Sequence, residues 1–456
     1  MTEVFDLAIV GGGPAGQAAA LGLDGFGLAI AVIDEQPRPG GQILRPPPDL
    51  FRVRDWLPGK SYDGLKAQLA RFEEAGDVTW MGGRSVLGIA ARDGGFALSL
   101  SGDTGAQRLI TSRVLIAAGC QDLAVPIPGW TLPGVYAAGG MQALLKSQQI
   151  VPGDRIILAG THPLQLVIAA QIVAAGGMVA AVMFAQTRSA MLGTSFANLR
   201  GALSQPANLI AAARAEAVLR RAGVTLLYGT SITAIGGEDH VAWVRANNRR
   251  FDCDAIGLCY GFVPQSALPR MACVRMRPAG AAGGWAAVHD AWMRSSVPNL
   301  SVAGETTGVA GAPAAVSEGM LAGIGIAKDL GLIDAAEATA RAAPVRRRHT
   351  ALLRFATLLD KVADPRPYWP EVASDTIACR CEEVDFATLD SVIARGGSAN
   401  AVKLATRCGM GPCQGRNCEP TLLRRMAEGG APSDPGFAQR FPVRPIPVGD
   451  LAAPRV

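Results

Sequence analysis

The sequence predicts an α/β chain: two Rossmann-like nucleotide-binding units on parallel sheets, then a small helical module built around cysteines. Three observations carry this. A glycine fingerprint, Gly11, Gly13 and Gly16, follows the first apolar run. A second apolar run and turn of the same kind, "RIILAGTHPLQ", begins at Arg155. Five of the nine cysteines crowd between Cys379 and Cys418.

A chain of 456 residues has room for two or three domains, and 49% hydrophobic residues supply their cores. The glycines and prolines are spread along the chain and follow strand ends, which fits α/β turns better than disorder. Net charge is +5, and the one basic run is "RRRH", Arg346 to His349. No aromatic-rich module accompanies it, so it reads as a solvated helix face rather than a nucleic-acid patch, and no nucleic-acid partner is expected. "MTEVFDLAIVGGG" enters a strand at once, so no signal peptide is expected. Val167 to Ala185 is apolar enough to resemble a membrane span. Gly176-Gly177 in its middle and the β-prone residues after it predict a buried helix, a turn and a buried strand instead. The uneven placing of the cysteines points to a reduced compartment and a metal site, not a disulfide framework.

The first unit opens with "FDLAIVGGGPAGQAAALGL", Phe5 to Leu23. Gly11 permits the tight turn, Gly13 lets the backbone approach a pyrophosphate, and Gly16 lets helix and strand pack closely. Pro14 and Ala15 then begin a helix whose free N–H groups and dipole favour anions. The next apolar run, Leu28 to Ile33, ends in Asp34-Glu35, where an acid would bind ribose hydroxyls. Asp34 directly follows the strand and is preferred to Glu35. "PRPGGQI" follows, and Gly40, Gly41 and Gln42 suit a loop passing close over a cofactor. Further on, "RVLIAAGCQDLAVPIPGW" has a strand ending at Gly119, and "LSVAGETTGVAGAPAAVSEGMLAG" has a strand, then Gly304-Glu305, then a small-residue helix.

In this order these segments resemble the two-dinucleotide-domain flavoproteins, the fold of thioredoxin and glutathione reductases. The resemblance implies FAD on the first fingerprint, with Gly304 and Glu305 at its ribityl chain or pyrophosphate. Glu305 stands where that family usually has Asp. It also implies a discontinuous FAD domain over 1–138 and 261–332, with a second, NAD(P)-like domain inserted at 139–260.

That second domain departs from the pattern. Of its three glycines only Gly160 remains; His162 and Gln165 stand where the others belong. A Cβ and an imidazole at position 162 occupy space that a pyrophosphate needs. After the next strand, "MVAAVMFAQTRSA" offers Gln186 and Arg188 in place of the ribose acid. Either the half-domain is scaffold, or it takes a different nucleotide through adenosine and single phosphates. His162 reads as a packed or hydrogen-bonded histidine. Disulfide reductases of this fold also need a close cysteine pair beside the flavin. Cys120, Cys253, Cys259 and Cys273 form none and read as small buried residues.

Residues 333–373 read as a linker with one amphipathic helix, 374–427 as the cysteine module and 428–456 as a C-terminal tail. In the module, "TIACRCEEV" holds Cys379 and Cys381, and "LATRCGMGPCQGRNC" holds Cys408, Cys413 and Cys418. The spacing is Cys-x-Cys, 26 residues, then Cys-x4-Cys. Four thiolates suit a [2Fe–2S] cluster. Structural zinc also takes four, but more often through Cys-x2-Cys. The ligands expected are Cys379, Cys381, Cys408 and Cys413, with Cys418 spare or standing in for Cys413. The segment resembles the bacterioferritin-associated-ferredoxin-like [2Fe–2S] domain.

A flavin fold followed by this module resembles, over nearly the full chain, the large FAD-binding subunit of heteromeric bacterial amine dehydrogenases. These include opine oxidases, D-hydroxyproline and proline dehydrogenases, and hydrogen cyanide synthase. "GWTLPGVYAAGGMQALLKSQ", "YGFVPQSAL" and "RCGMGPCQGRNC" carry the likeness. It implies an electron-transfer subunit with FAD and a [2Fe–2S] cluster. A D-amino-acid-oxidase-like partner would take an amino acid, imino acid or opine from C–N bond to imine. An FMN at the subunit interface, a third small ferredoxin-like subunit, and a cytoplasmic place at the inner membrane face near the respiratory chain also follow from the resemblance. No catalytic base or nucleophile is expected in this chain, since His240, in "GGEDH", reads as a solvated turn. The competing readings are an NAD(P)H-dependent flavin reductase feeding an external acceptor through the [2Fe–2S] module, and a non-enzymatic redox sensor or assembly protein.

Overall fold

A computed structural model describes residues 3–48, 50–51, 53, 56–59, 62–103 and 105–452. The first unit is a sheet in the order Val78–Met81, Ile30–Ile33, Glu3–Val10, Gln107–Ile116, the four running parallel. An antiparallel pair, Gly95–Gly102 and Arg84–Arg92, extends it, and Leu300–Val302 pairs parallel to Gln107–Ile116. Side chains alternate between faces as a strand requires. Leu7 and Ile9 pack with Ala19, Leu321 and Ile326, whereas Ala8 and Val10 pack with Leu98, Leu100 and Val274. Both faces are thus covered, which is why Ile30–Ile33 is apolar throughout. The helices Pro14–Leu21 and Ala312–Asp329 cross closely at Gly319, where a Cβ would lie 2.1 Å from the Ala15 carbonyl oxygen.

The second sheet is fully parallel: Thr225–Tyr228, Val179–Phe184, Ile156–Gly160, Ala255–Cys259 and Val135–Ala137. The strand Val135–Ala137 lies just ahead of Gly139 and belongs to this sheet. The apolar window resolves into the helix Leu164–Ala174, a turn and the buried strand Val179–Phe184. Among the described residues no helix is long and apolar enough to cross a membrane.

The region after 333 is a brace. The helix Ala335–Val362 is capped by Asp334, whose carboxylate accepts from the Glu337 N–H at 2.8 Å. Ala338, Ala342 and Val345 join the core of the first unit, and Leu358 packs over Gly201 of the second. The basic run lies on this helix with Arg347 and Arg348 exposed, but His349 turns inward to Glu318, at 2.9 Å.

The cysteine module pairs Ile377–Cys379 with Val384–Asp385 and adds the helices Phe386–Ile393, Ala399–Thr406 and Glu419–Glu428. Residues after 428 complete it. Phe437 is buried on Gly409 and Gly415, where a Cβ would come within 2.5 and 2.4 Å of its ring. The chain then crosses the first unit, where the Val443 N–H donates to the Leu87 carbonyl at 2.9 Å and Arg444 pairs with Glu35. Arg270 ties the parts together: it donates to Glu419 at 2.9 and 3.0 Å, and to the carbonyls of Pro435 and Phe437 at 2.8 and 2.6 Å. Both charged side chains are almost covered, at 11% and 12% exposure. Arg270→Ala would leave the carboxylate unpaired, and a loss of about 3–5 kcal/mol is expected. Urea unfolding followed by a probe in the module checks this.

Candidate functional site

A cavity of about 2060 Å³ opens at the carboxyl ends of the first sheet and extends to the second. Open α/β sheets bind ligands at this edge, where the strand order reverses. Gly11, Gly13, Pro14, Ala15, Asp34, Glu35, Gly41, Gln42, Gly119, Gly304 and Glu305 line it. Gly16 and Gly40 stand behind the wall. A Cβ on Gly16 would lie 2.0 Å from the Gly11 carbonyl oxygen, and the Gly40 N–H donates to the Gly12 carbonyl at 2.9 Å. Gly11 has φ +112°, and a Cβ there would meet the Ala117 carbonyl oxygen at 2.2 Å. Only glycine serves in that turn. The helix Pro14–Leu21 begins without a side-chain cap, leaving its first N–H groups for an anion.

Asp34 holds the turn. Its Oδ2 accepts from the Gly12 N–H at 2.7 Å and its Oδ1 from the Gln36 N–H at 2.8 Å. Burial nevertheless raises its pKa above the usual carboxylate value. Glu35 points outward to Arg444. Glu305 Oε2 accepts from the Cys120 thiol at 2.8 Å, and burial raises the pKa of both groups. Beneath it, Glu318 accepts from the Gly304 N–H and the Thr307 hydroxyl, each at 2.8 Å, so the buried Glu318–His349 pair fixes the Gly304 loop. A narrow cradle for phosphates, an acid beyond the second strand and a long cavity fit a dinucleotide such as FAD.

Sequence reasoning missed Lys146, which lines the same cavity. It is 3% exposed and donates to the Ile43 carbonyl at 2.9 Å and to Gln142 Oε1 at 2.8 Å. Among the described residues no carboxylate reaches it. Burial, aided by the charge of Arg45, lowers its pKa to about 7. The signal available was a lysine four residues after Gln142 in an apolar helix, which is too common to single out.

The second turn is tied to the end of the helix Ala335–Val362, with His162 and Pro163 on the cavity wall. The Thr161 hydroxyl donates to the Ala363 carbonyl at 2.7 Å. Gln186, at the place of the ribose acid, donates to the carbonyls of Val362 and Thr161 at 2.7 and 2.8 Å. The orphan carbonyls at the end of the helix Ala335–Val362 are thereby satisfied. His162 sits edge-on to Phe262, 5.2 Å between centroids, and its Nδ1 accepts from the Leu164 N–H at 3.2 Å. Burial lowers its pKa from 6.5 to about 4. Between those values the unfolded chain binds one proton more than the folded chain. The stability is therefore present above pH 6.5 and is lost as pH falls toward 4, by ~3 kcal/mol. His162→Asn, which keeps an acceptor for Leu164, should flatten the fall in unfolding free energy between pH 7 and 5. Of the other thiols, Cys253 and Cys259 are buried as expected, but Cys273 is exposed, at a left-handed turn with φ 58°. His240 lies exposed in its turn.

The late cysteines converge. Cys379, Cys408 and Cys418 are buried with their sulfurs all within 4.8 Å of one another. The thiols of Cys408 and Cys418 donate to Cys379, which lowers its pKa to about 2. Cys381 is exposed and hydrogen-bonds with Cys413, both thiols being free. Cys418, spare by spacing, thus belongs to the buried trio. Gly411 closes the turn against Cys381, whose Cβ would be 2.4 Å from a Cβ on the glycine. Five thiols in one small module, with no carboxylate or imidazole among the grouped ligand atoms, fit a thiophilic centre such as a [2Fe–2S] cluster.

The sequence pattern of the pyridine nucleotide-disulphide oxidoreductases matches residues 5–319. The chain is 34% identical to the A subunit of opine oxidase from Rhizobium meliloti (strain 1021) over 462 aligned residues, 99% of each. It is 31% identical to the hydrogen cyanide synthase subunit HcnB of Pseudomonas protegens, over 96% of each. Among solved structures, the fold is shared with L-proline dehydrogenase from P. horikoshii at TM-score 0.68 and 21% identity, over 99% of this chain and 80% of that one. It is also shared with thioredoxin reductase of T. acidophilum at TM-score 0.53 and 18% identity, over 72% of this chain and 99% of that one. An intact first nucleotide cradle, a second one bonded to the chain's own helix and these likenesses lead to one assignment: the chain belongs to the pyridine nucleotide-disulphide oxidoreductase family, in the flavoprotein-subunit branch that holds HcnB and the A subunit of opine oxidase.

Proposed function

We propose that this chain is the electron-transfer subunit of a heteromeric dehydrogenase that oxidises an amino acid, imino acid or opine from C–N bond to imine. A D-amino-acid-oxidase-like partner carries the substrate pocket. FAD, which takes electrons in pairs, occupies the first cradle, and a [2Fe–2S] cluster, which takes them singly, occupies the cysteine module. In this chain Asp34 and the Gly11–Gly16 turn hold the nucleotide end. Lys146 offers a buried hydrogen-bond donor inside the same cavity. Cys379, Cys381 and Cys408 ligate the metal with one of Cys413 and Cys418.

The observation that carries this reading is the second turn bound to the chain's own helix. Thr161 and Gln186 spend their hydrogen bonds on the carbonyls of Val362 and Ala363, where a nicotinamide nucleotide would need its ribose and phosphates bound. Electrons arriving from a partner need no pyridine nucleotide. Apolar side chains are also exposed between 192 and 209: Phe196 and Leu203 are 74% and 66% exposed, and Leu192 and Leu209 reach the cavity.

Anaerobic mixing with NADH and NADPH tests the reading. The flavin of the purified chain should stay oxidised with both, and should bleach when the partner and its amine substrate are supplied. Rapid bleaching by either nucleotide would overturn it.

A further inference from the structure

Gln121 lies in the strand Cys120–Asp122, beside the thiol that contacts Glu305. It lines the large cavity. It also lines a small crevice on its other side, together with Gln414, Arg416 and Glu419. Its amide is held at both ends. Its Oε1 accepts from Gln265 Nε2 at 2.8 Å, and Gln265 is itself anchored, its N–H donating to the Gly119 carbonyl at 2.9 Å. That leaves the Gln121 Nε2 facing the module, where it donates to the Arg416 carbonyl at 2.7 Å. Arg416 sits between Cys413 and Cys418, and its own N–H donates to the Cys413 carbonyl at 3.3 Å.

A second contact makes a natural control. Trp130 Nε1 donates to the Ile377 carbonyl at 2.6 Å, two residues from Cys379. It too docks the module, but Trp130 is not among the residues lining the cavity. The two bonds are alike in type and in distance along the chain from a cysteine, and differ in what stands behind them.

Resting on the function proposed above, we infer that Gln121 is the bridge by which electrons pass between the cofactor cavity and the cysteine module. Electrons cross protein better through covalent and hydrogen bonds than across gaps. The Gln121 side chain and the Arg416–Cys418 backbone form such a route from the cavity wall to a sulfur. Each crossing moves one electron. The reduced flavin loses it and releases a proton to water, and one ferric ion of the cluster becomes ferrous.

The test uses the full chain, loaded with flavin and iron, in three variants. Gln121→Met keeps the length and removes the donor; Gln121→Glu turns an acceptor toward the Arg416 carbonyl; Trp130→Phe removes the control bond. A photogenerated one-electron donor reduces the flavin, and the electron's arrival at the cluster is followed by absorbance and by electron paramagnetic resonance. Both Gln121 variants should slow arrival by at least an order of magnitude, with flavin, iron and sulfide content and both potentials unchanged. Trp130→Phe should match the unaltered chain. Arrival at the unaltered rate in a loaded Gln121 variant, or equal slowing in all three, overturns the bridge. A wild-type chain that lacks flavin or iron, or never passes the electron, sinks the proposed function itself and the bridge with it.

Discussion

Serine at Cys379, Cys381 or Cys408 should each strip the cysteine module of iron and acid-labile sulfide. Cys379 and Cys408 are 1% and 0% exposed, so their sulfurs have no water to turn to. A serine hydroxyl there ligates poorly, and a buried hydroxyl without a partner costs about 1–3 kcal/mol. The module should lose its colour and its paramagnetic signal on reduction, and its core about Phe386, Leu422 and Phe437 should open first on heating. Cys413 and Cys418 differ from the others. They stand five positions apart and either can take the fourth place, so serine at one of the two should leave the iron in place. Elemental analysis of the five variants decides. Zinc without sulfide in the unaltered chain would refute the cluster.

Gly11→Ala should abolish flavin binding. The added methyl would sit 2.2 Å from the Ala117 carbonyl oxygen, and neither atom belongs to a flexible side chain. The turn must also give up φ +112°, a conformation alanine avoids. Together these effects should exceed about 3 kcal/mol, since strained backbone alone costs of order 1–3. The Gly11 N–H donates to the Ile33 carbonyl at 2.8 Å, so the sheet edge would be lost with the turn. Gly193→Ala is the matched control. It lies in the helix Arg188–Ala197 with no atom within 4 Å of the new methyl, and should gain up to about 1 kcal/mol. Flavin absorbance per chain and thermal midpoints separate the two.

The features legible in the residues alone are local ones. Apolar runs, the glycines of the first turn and Asp34 at the end of the second strand announce a nucleotide cradle, because φ, ψ and side-chain period depend on near neighbours. The loss of glycines at His162 and Gln165 marks the second turn as changed. The crowded cysteines announce a thiolate centre. The spacing left Cys418 as a spare, however, and only the fold showed it among the buried sulfurs.

The remainder rests on partners far apart in the chain, which folding alone brings together. Gln186 gave no sign that it would hold the Val362 carbonyl, 176 residues on. Gln121 meets Arg416 across 295 residues, and the segment after 428 reaches back to Glu35 at the first cradle. Lys146 was one of six lysines until burial removed its water. Such contacts are set by which surfaces exclude water together when the units dock, and no short window of sequence contains both halves of that choice.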